Sequence, residues 1–176
     1  TSNICTAQVL LAVMASMYAV YHGPEGLREI ATRVHDLTKT LAEGLRRTGH
    51  SIRHDAFFDT LRVDLHDTTQ DRVRERAEAH EINLRYYDDG SVGVALDQTV
   101  RAEDLDALFT VFGATNGQKL YAEDLAADLD SGYDAPMPRR TSYLEHPVFH
   151  QYHSEGELTR YMQSLADKDL SLVHSM

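Results

Sequence analysis

Three histidines in the last third of the sequence have a spacing that could bind a metal ion. His146, His150 and His153 would share one face of a continuous helix, and imidazole nitrogens are common zinc ligands. Pro147 fits a helix there only as its first residue, with His146 as the cap. The alternative is a histidine-rich turn packed against a neighbouring segment. Because no carboxylate is placed to orient these rings, we predict no metal site.

The other reactive residue types are scattered along the sequence. Cys5 could be a nucleophile, but its aliphatic neighbours are more typical of a small buried residue. Gly90-Ser91-Val92-Gly93 has the composition of a phosphate loop, but without a following lysine a hairpin is favoured. The pairs Arg46-Arg47 and Arg139-Arg140 are too isolated to form an anion track. We therefore predict no self-contained catalytic constellation in this chain.

Composition and charge exclude several classes of protein. The 176 residues are 42% hydrophobic and 26% charged, as in soluble globular domains. A net charge of −11 argues against a nucleic-acid or anionic-membrane binder, and a single cysteine excludes an internal disulfide. The longest apolar run, Val9 to Ala15, is too short to span a bilayer, and Thr1 to Ala7 lacks a basic leader. With no initial Met, we expect a piece of a longer protein of the cytosol or an organelle matrix.

The N-terminal residues are predicted to form two helices. Large apolar residues recur at helical spacing from Val9 to Tyr21 and cover much of the circumference, which is typical of a helix buried on several sides. This helix should end at His22-Gly23, and Pro24 can begin the next. The second helix, from Gly26 to Arg47, is amphipathic and long enough to connect two domains.

The following residues predict a small sheet. Three segments alternate with the period of a strand, at Leu61–Leu65, Ile82–Tyr86 and Val92–Leu96. Asp88-Asp89-Gly90-Ser91 predicts a tight turn between the last two strands. A surface helix is expected at Thr69–Glu81, and a last helix capped by Thr99 is expected to reach Phe112. The order α-β-α-β-β-α predicts an α+β layer with helices over one face of a three-stranded sheet.

Changes in composition suggest four regions. They are an apolar helix (1–23), a small α+β domain (24–112), an acidic linker (113–142) and a helical segment (143–176). Gly and Pro punctuate the third region, which we expect to lie on a surface with one short amphipathic turn around Leu125.

Several separated stretches bring a known family to mind. They are Thr1–Gln8, Tyr18–Pro24, Phe57–Leu61, Glu81–Arg85, His146–Phe149, Tyr152–Glu155, Arg160–Met162 and Lys168–Leu172. In these stretches, and in their order along essentially the whole chain, the sequence resembles the P-protein (glycine decarboxylase) family of the glycine cleavage system. The acidic stretch from Gly113 to Arg140 is the least similar part.

The resemblance implies a fold and an activity. P-proteins are similar to fold-type I enzymes of pyridoxal phosphate (PLP), with two such halves of which only the second carries the PLP lysine. This chain resembles the end of the first half plus the connector to the second, so that 24–112 would be its small C-terminal domain and Gly26–Arg47 its interdomain helix. The family decarboxylates glycine and passes the aminomethyl group to the lipoyl arm of the H-protein, as an oxidoreductase of glycine catabolism.

The resemblance also implies what this chain lacks and needs. Lys39, Lys119 and Lys168 lie in no motif that resembles the PLP lysine, so the chain alone should hold no cofactor and be inactive. Its implied partners are the rest of the P-protein chain, the lipoylated H-protein and further copies in a homo-oligomer, with no nucleic acid or membrane. The alternative is a free-standing α+β binding or scaffold module.

The first residues carry the one cofactor-site hypothesis. In fold-type I dimers the loop that leads into this helix commonly lies near the partner's cofactor. Thr1, Ser2 and Asn3 would then help to line the pocket of the catalytic half, because a helix N-terminus favours an anion such as phosphate. The alternative is that these short polar residues only cap the helix.

Overall fold

The computed structural model describes residues 6–113, 120–133 and 138–172. Along these residues the elements are α1 (Thr6–Arg47), β1 (Ser51–Ile52), β2 (Thr60–Asp64), α2 (Gln70–Ala79), β3 (Arg85–Tyr86), β4 (Val92–Ala95), α3 (Ala102–Phe112), α4 (Ala122–Ala127), a 3₁₀ helix (Pro147–His150) and α5 (Glu155–Ala166). The chain divides into two compact units, which we call the sheet unit (Ile30–Pro138) and the terminal unit (Thr1–Glu29 with Arg139–Met176).

The sheet unit contains four antiparallel strands in the order β1-β2-β4-β3. Helices with a small antiparallel sheet belong to the α+β class, as predicted. The predicted order α-β-α-β-β-α with a three-stranded sheet is wrong by one strand, because β1 precedes β2 and pairs Ile52 with Val63. Two residues are too few to display the alternation by which a strand is recognised in a sequence.

A continuous apolar core lies between the helices and the sheet of this unit. It contains Leu41, Ala42, Leu45, Leu61, Val63, Val73, Ala77, Val92, Val94, Leu96, Leu105, Leu108, Phe109, Val111, Phe112, Ala122 and Leu125. A Cβ atom on Gly44 would lie 2.2 Å from Cε1 of Phe109, so glycine is what allows this ring to pack against α1. None of the described helices has the length and apolarity needed to cross a membrane.

Part of the stretch predicted to be an acidic linker is folded onto this core. Leu125 and Ala122 of α4 are buried, and the Ala122 amide donates to the Asp106 carboxylate at 2.7 Å. Lys39 donates to the Asp130 carbonyl at 2.6 Å, which fixes the chain beyond α4. The division of the chain into regions 1–23, 24–112, 113–142 and 143–176 stays a prediction.

The beginning of α3 differs from the prediction. The Thr99 hydroxyl donates to the Asp97 carboxylate at 2.6 Å and caps no helix. Instead, the Arg101 amide donates to the Asp104 carboxylate at 2.8 Å, and α3 begins at Ala102. Asp and Thr two residues apart form a local turn that competes with helix capping.

Candidate functional site

The break in α1 is the local feature on which the terminal unit is built. Gly23 has φ 64° and ψ −176°, a combination that is essentially restricted to glycine. Pro24 follows and has no amide hydrogen for the helical ladder. The predicted end of the first helix at His22-Gly23 is therefore confirmed. We call the residues before it, 8–21, the α1 arm.

Residues about 120 positions further along the chain close around this break. A Cβ atom on Gly23 would lie 2.6 Å from the Phe149 carbonyl oxygen and 2.9 Å from Cε1 of His153. His153 Nδ1 lies 2.7 Å from the Tyr21 carbonyl oxygen, and the Tyr143 hydroxyl donates to the Pro24 carbonyl at 2.5 Å. Carbonyls on both sides of the break thus receive hydrogen bonds from side chains. We call Gly23, Pro24, Tyr143, Phe149 and His153 the Gly23 clamp.

The hydrogen bonds define the chemistry of the clamp. A carbonyl oxygen can only accept, so His153 carries a hydrogen on Nδ1. The same holds for the Tyr143 hydroxyl, which acts as a donor to Pro24. Both side chains are therefore committed to backbone oxygens. This arrangement fixes the direction of the α1 arm.

The three histidines considered as metal ligands each form a hydrogen bond with a different backbone group. His146 Nδ1 accepts from the Val148 amide at 3.2 Å and caps the 3₁₀ helix, which begins with Pro147 as predicted. His150 Nε2 lies 3.1 Å from the Leu144 carbonyl oxygen, and His153 belongs to the Gly23 clamp. The 3₁₀ helix ends at His150 and α5 begins only at Glu155, so the spacing does not describe one helical face. Within the described residues, no three His, Cys, Asp or Glu side chains converge to hold a metal ion.

The residues proposed for the cofactor site lie outside the described part of the chain. Thr1, Ser2 and Asn3 precede the first described residue, and so does Cys5. Their role stays a prediction. The described part of α1 begins at Thr6 and includes the whole α1 arm, which follows Thr1, Ser2 and Asn3 in the sequence.

A second constellation, in the sheet unit, surrounds the buried His35. Its Nδ1 lies 2.9 Å from the Phe58 carbonyl oxygen, and its ring stacks on Tyr133 with centroids 4.9 Å apart. Asp36 accepts from the Ser131 hydroxyl at 2.5 Å and from the Gly132 amide at 2.8 Å. These contacts fix the stretch that contains Tyr133 beside α1.

The hairpin between β3 and β4 carries a charged network. Asp89 accepts from Arg53 at 2.6 Å, from Arg62 at 2.8 Å and from the Ser91 hydroxyl at 2.6 Å. The Ser91 hydroxyl and then Arg53 hold the pKa of Asp89 well below its usual range, and Asp64 with Asp89 raises the pKa of Arg53. Gly90 has φ 83°, and its amide donates to the Tyr87 carbonyl. The predicted hairpin turn is confirmed, so Gly90–Gly93 forms no phosphate loop.

A polar cavity of about 340 Å³ opens beside this hairpin. It is lined by Asp64, Leu65, Thr68, Thr69, Gln70, Asp89, Gly90 and Ser91. Thr69 caps α2 by accepting from the Arg72 amide at 3.4 Å. Both carboxylates of the cavity are already paired with Arg53. Arg62 also pairs with Asp89, so two arginines balance the two carboxylates, and the lowered pKa of Asp89 makes this carboxylate a poor general base.

Sequence reasoning missed the buried histidine His50. Its Nε2 lies 3.0 Å from the Phe112 carbonyl oxygen, and its Nδ1 accepts from the His66 amide at 3.1 Å. Both ring nitrogens are thus in use in the neutral form, and burial lowers the pKa of His50. The sequence carries no signal for this position, because its burial depends on the end of α3 more than 60 residues away.

Comparison with known proteins places these features in a family context. The family model for the glycine cleavage system P-protein matches residues 1–112. Over its whole length the chain is 51% identical to mitochondrial glycine dehydrogenase (decarboxylating) of Gallus gallus and 47% identical to that of Homo sapiens. It is 51% identical to glycine dehydrogenase (decarboxylating) of Nostoc punctiforme. The chain spans only 17% of the first two proteins and 18% of the third.

Proposed function

Because this chain belongs to the glycine cleavage system P-protein family, we propose that it is a non-catalytic segment of a PLP-dependent glycine decarboxylase. The observation that supports the proposal is identity of about half over the whole chain to glycine dehydrogenases (decarboxylating). The complete enzyme would decarboxylate glycine and transfer the aminomethyl group to the lipoyl arm of the H-protein. Its compartment would be the cytoplasm of a bacterium or an organelle matrix.

The sheet unit is the natural candidate for the small domain of a fold-type I half. Its single antiparallel sheet and helical cover are compatible with that role. The part of α1 that follows Gly23 would be the helix that connects it to a large domain. The rest of the P-protein chain would then be the main partner, within a homo-oligomer.

The lysines of the described residues do not fit a covalent PLP site. When bound, PLP supplies an electron sink for decarboxylation and needs a lysine amine in an enclosed pocket. Lys39 donates to the Asp130 and Gly132 carbonyls, and Lys168 is exposed beyond the end of α5. Lys119 lies outside the described residues. We propose that the lysine belongs to another part of the protein.

In this proposal the Gly23 clamp orients the helix that follows the proposed cofactor-site residues. It fixes the direction of the α1 arm, and the arm leads from Thr1, Ser2 and Asn3. In the complete enzyme these residues would help to line the pocket of the catalytic half. The alternative is that they only cap α1, in which case their substitution would change stability and leave catalysis unchanged.

The substitution Asn3→Ala separates these two roles in the full-length enzyme. Loss of a cap costs about 1 kcal/mol of stability and leaves the chemistry unchanged. A pocket role lowers PLP affinity or turnover at unchanged stability. The measurements are PLP titration by absorbance, glycine decarboxylation and thermal unfolding. Unchanged kinetics with a lower melting temperature would assign Asn3 to capping.

The proposed function as a whole is tested with the full-length protein and this chain side by side. The full-length protein should bind PLP and release CO₂ from glycine in the presence of lipoylated H-protein. The 176-residue chain, after incubation with PLP and dialysis, should retain no visible absorbance and no activity. A stable absorbance band that is lost on substitution of Lys39, Lys119 or Lys168 would contradict the non-catalytic assignment. Absence of both properties in the full-length protein would favour the free-standing module.

A further inference from the structure

The arginine pair Arg139-Arg140 is exposed at the start of the second segment of the terminal unit. Neither arginine forms an ion pair with the described residues. Arg139 Nη1 donates to the Thr141 hydroxyl at 3.3 Å, and its guanidinium lies 5.0 Å from the centroid of the Tyr143 ring. Two neighbouring guanidinium groups without a carboxylate partner are available to bind an acidic surface of another protein.

The other arginine pair considered in the sequence, Arg46-Arg47, has a structural use. It lies in the last turn of α1, where Arg47 pairs with Glu43 at 2.8 Å. Both pairs are followed by threonine, but the next residue is Gly49 after the first pair and Ser142 after the second. A serine hydroxyl therefore follows only the pair that has no carboxylate partner.

The backbone around Ser142 belongs to no helix or strand. Residues 138–146 precede the 3₁₀ helix, and the four side chains at 139–142 are all exposed. The Ser142 hydroxyl forms no hydrogen bond with the described residues. An irregular, exposed segment can enter the cleft of a modifying enzyme without unfolding of the elements beside it.

We propose, independently of the proposed function, that Ser142 is a phosphorylation site for a basophilic serine/threonine protein kinase that uses ATP. Kinases select substrates by charge pattern, and guanidinium groups two and three residues before the acceptor suit a kinase with acidic subsites. The Ser142 oxygen bonds to the γ-phosphorus of ATP while the bond from that phosphorus to the oxygen of the β-phosphate breaks. ADP leaves, and the hydroxyl proton passes to the catalytic aspartate of the kinase.

The composition of the segment favours its exposure in the full-length protein as well. Residues 139–142 are consecutive polar side chains, with no apolar residue that would favour burial. Burial of Arg139 and Arg140 would be unfavourable unless each found a carboxylate partner. We therefore expect a kinase to reach Ser142 in the folded protein.

A phosphate on Ser142 would change the contacts of Arg139. Phosphoserine carries about −1.5 to −2 charges at neutral pH. Hydrogen bonds between phosphate and guanidinium are stronger than a bond to the neutral Thr141 hydroxyl or a contact with the Tyr143 ring. Tyr143 also donates to the Pro24 carbonyl, so transfer of Arg139 to the phosphate removes a neighbour of the Gly23 clamp. We expect phosphorylation to loosen the clamp at Tyr143.

Phosphorylation of the folded full-length protein tests the site. The probe is the catalytic subunit of cyclic-AMP-dependent protein kinase with ATP, and mass spectrometry of the peptide that contains Ser142 is the readout. We expect about one phosphate per chain, and an initial rate at least about tenfold lower when Arg139→Ala and Arg140→Ala are combined. Ser142→Ala should abolish modification of this peptide. Ser164→Ala, at an exposed serine without an arginine pair before it, is the matched control and should leave it unchanged.

Two results would overturn the proposal. One is a folded protein that the kinase leaves unmodified although it phosphorylates a synthetic peptide of residues 136–146, because the segment would then be enclosed. The other is absence of phosphoserine at 142 from protein purified from its native cells with phosphatase inhibitors, with a synthetic phosphopeptide as the detection standard.

Hydrogen exchange measures the consequence for the Gly23 clamp. Amides at 143–153 should exchange at least about threefold faster in the phosphorylated protein than in the unmodified one. Arg139→Ala without phosphate should change exchange in the same direction, because it removes the same contact with Tyr143. Equal rates in the phosphorylated and unmodified proteins would overturn the effect on the clamp.

Discussion

The sheet unit buries a continuous apolar core, whereas the described residues of the terminal unit bury few side chains and are joined by hydrogen bonds to backbone carbonyls and by aromatic contacts. In the sheet unit, Phe109 and Phe112 are among the largest fully buried side chains. In the terminal unit, only Val20 and Gly23 are buried among the described residues, and α5 contributes no buried residue.

This contrast separates two ways of holding a chain in place. Apolar burial within the sheet unit stabilises its fold, since each fully buried large side chain contributes about 1.5–3 kcal/mol to the free energy of unfolding. The Gly23 clamp specifies the direction of a helix but removes little apolar surface from water. The contacts of the sheet unit therefore stabilise a fold by burying apolar side chains. The contacts of the terminal unit mainly set the direction of the α1 arm.

Removal of a core ring from the sheet unit should have the largest effect. Phe109→Ala should reduce the free energy of unfolding by about 3–5 kcal/mol, through lost burial and the cavity that remains. Urea denaturation measures this. Leu170→Ala in the terminal unit is the control, because Leu170 is 96% exposed, and it should have no measurable effect. Equal effects of the two substitutions would remove the distinction between the units.

A methyl group at Gly23 should have the next largest effect. Gly23→Ala meets both a backbone conformation restricted to glycine and the Phe149 carbonyl oxygen, whereas Gly132→Ala meets only a positive φ, with nothing within 4 Å. We expect about 1 kcal/mol of destabilisation for Gly132→Ala and clearly more for Gly23→Ala. Thermal unfolding gives the magnitudes. Faster hydrogen exchange at 143–153 in Gly23→Ala alone would locate the damage at the clamp.

Acid should weaken the sheet unit through His50. Because burial lowers the pKa of His50, the folded state resists protonation that the unfolded state accepts. The stability is complete above pH 6.5, the ordinary value, and falls progressively as the pH decreases toward the lowered folded pKa. His50→Gln should flatten the dependence of the unfolding free energy on pH in this range. His54→Gln removes an exposed imidazole and is the matched control variant, and an unchanged slope in His50→Gln would contradict the assignment.

The smallest effect is expected at the exposed hairpin network. The lowered pKa of Asp89 means that its contribution to stability is present above the ordinary carboxyl value and disappears as the pH falls through the lowered one. Asp89→Asn should cause a small decrease in melting temperature at pH 7, and high salt should reduce the difference because the charges are exposed. The neighbouring substitution Asp88→Asn serves as the control. A large decrease for Asp89→Asn would indicate that polar contacts also stabilise the sheet unit.

The sequence alone determined the features that depend on local backbone chemistry. The break at Gly23-Pro24, the turn at Asp88–Ser91 and the start of the 3₁₀ helix at Pro147 were predictable, because proline fixes φ and glycine allows positive φ values that other residues avoid. The α+β class followed from the change of period between α1 and β2. The family resemblance followed from several short contiguous sequence segments that occur in the same order as in the family.

Only the tertiary structure decided which distant residues meet. The contact of His153 with Tyr21, the burial of His50 under Phe112 and the position of Leu125 beside Gly44 each join segments more than 60 residues apart. The pairing of β1 with β2 spans a shorter distance, but β1 is too short to be recognised without its partner. Periodicity reports which face of an element is apolar, whereas the neighbour on that face is selected by the packing of the whole chain.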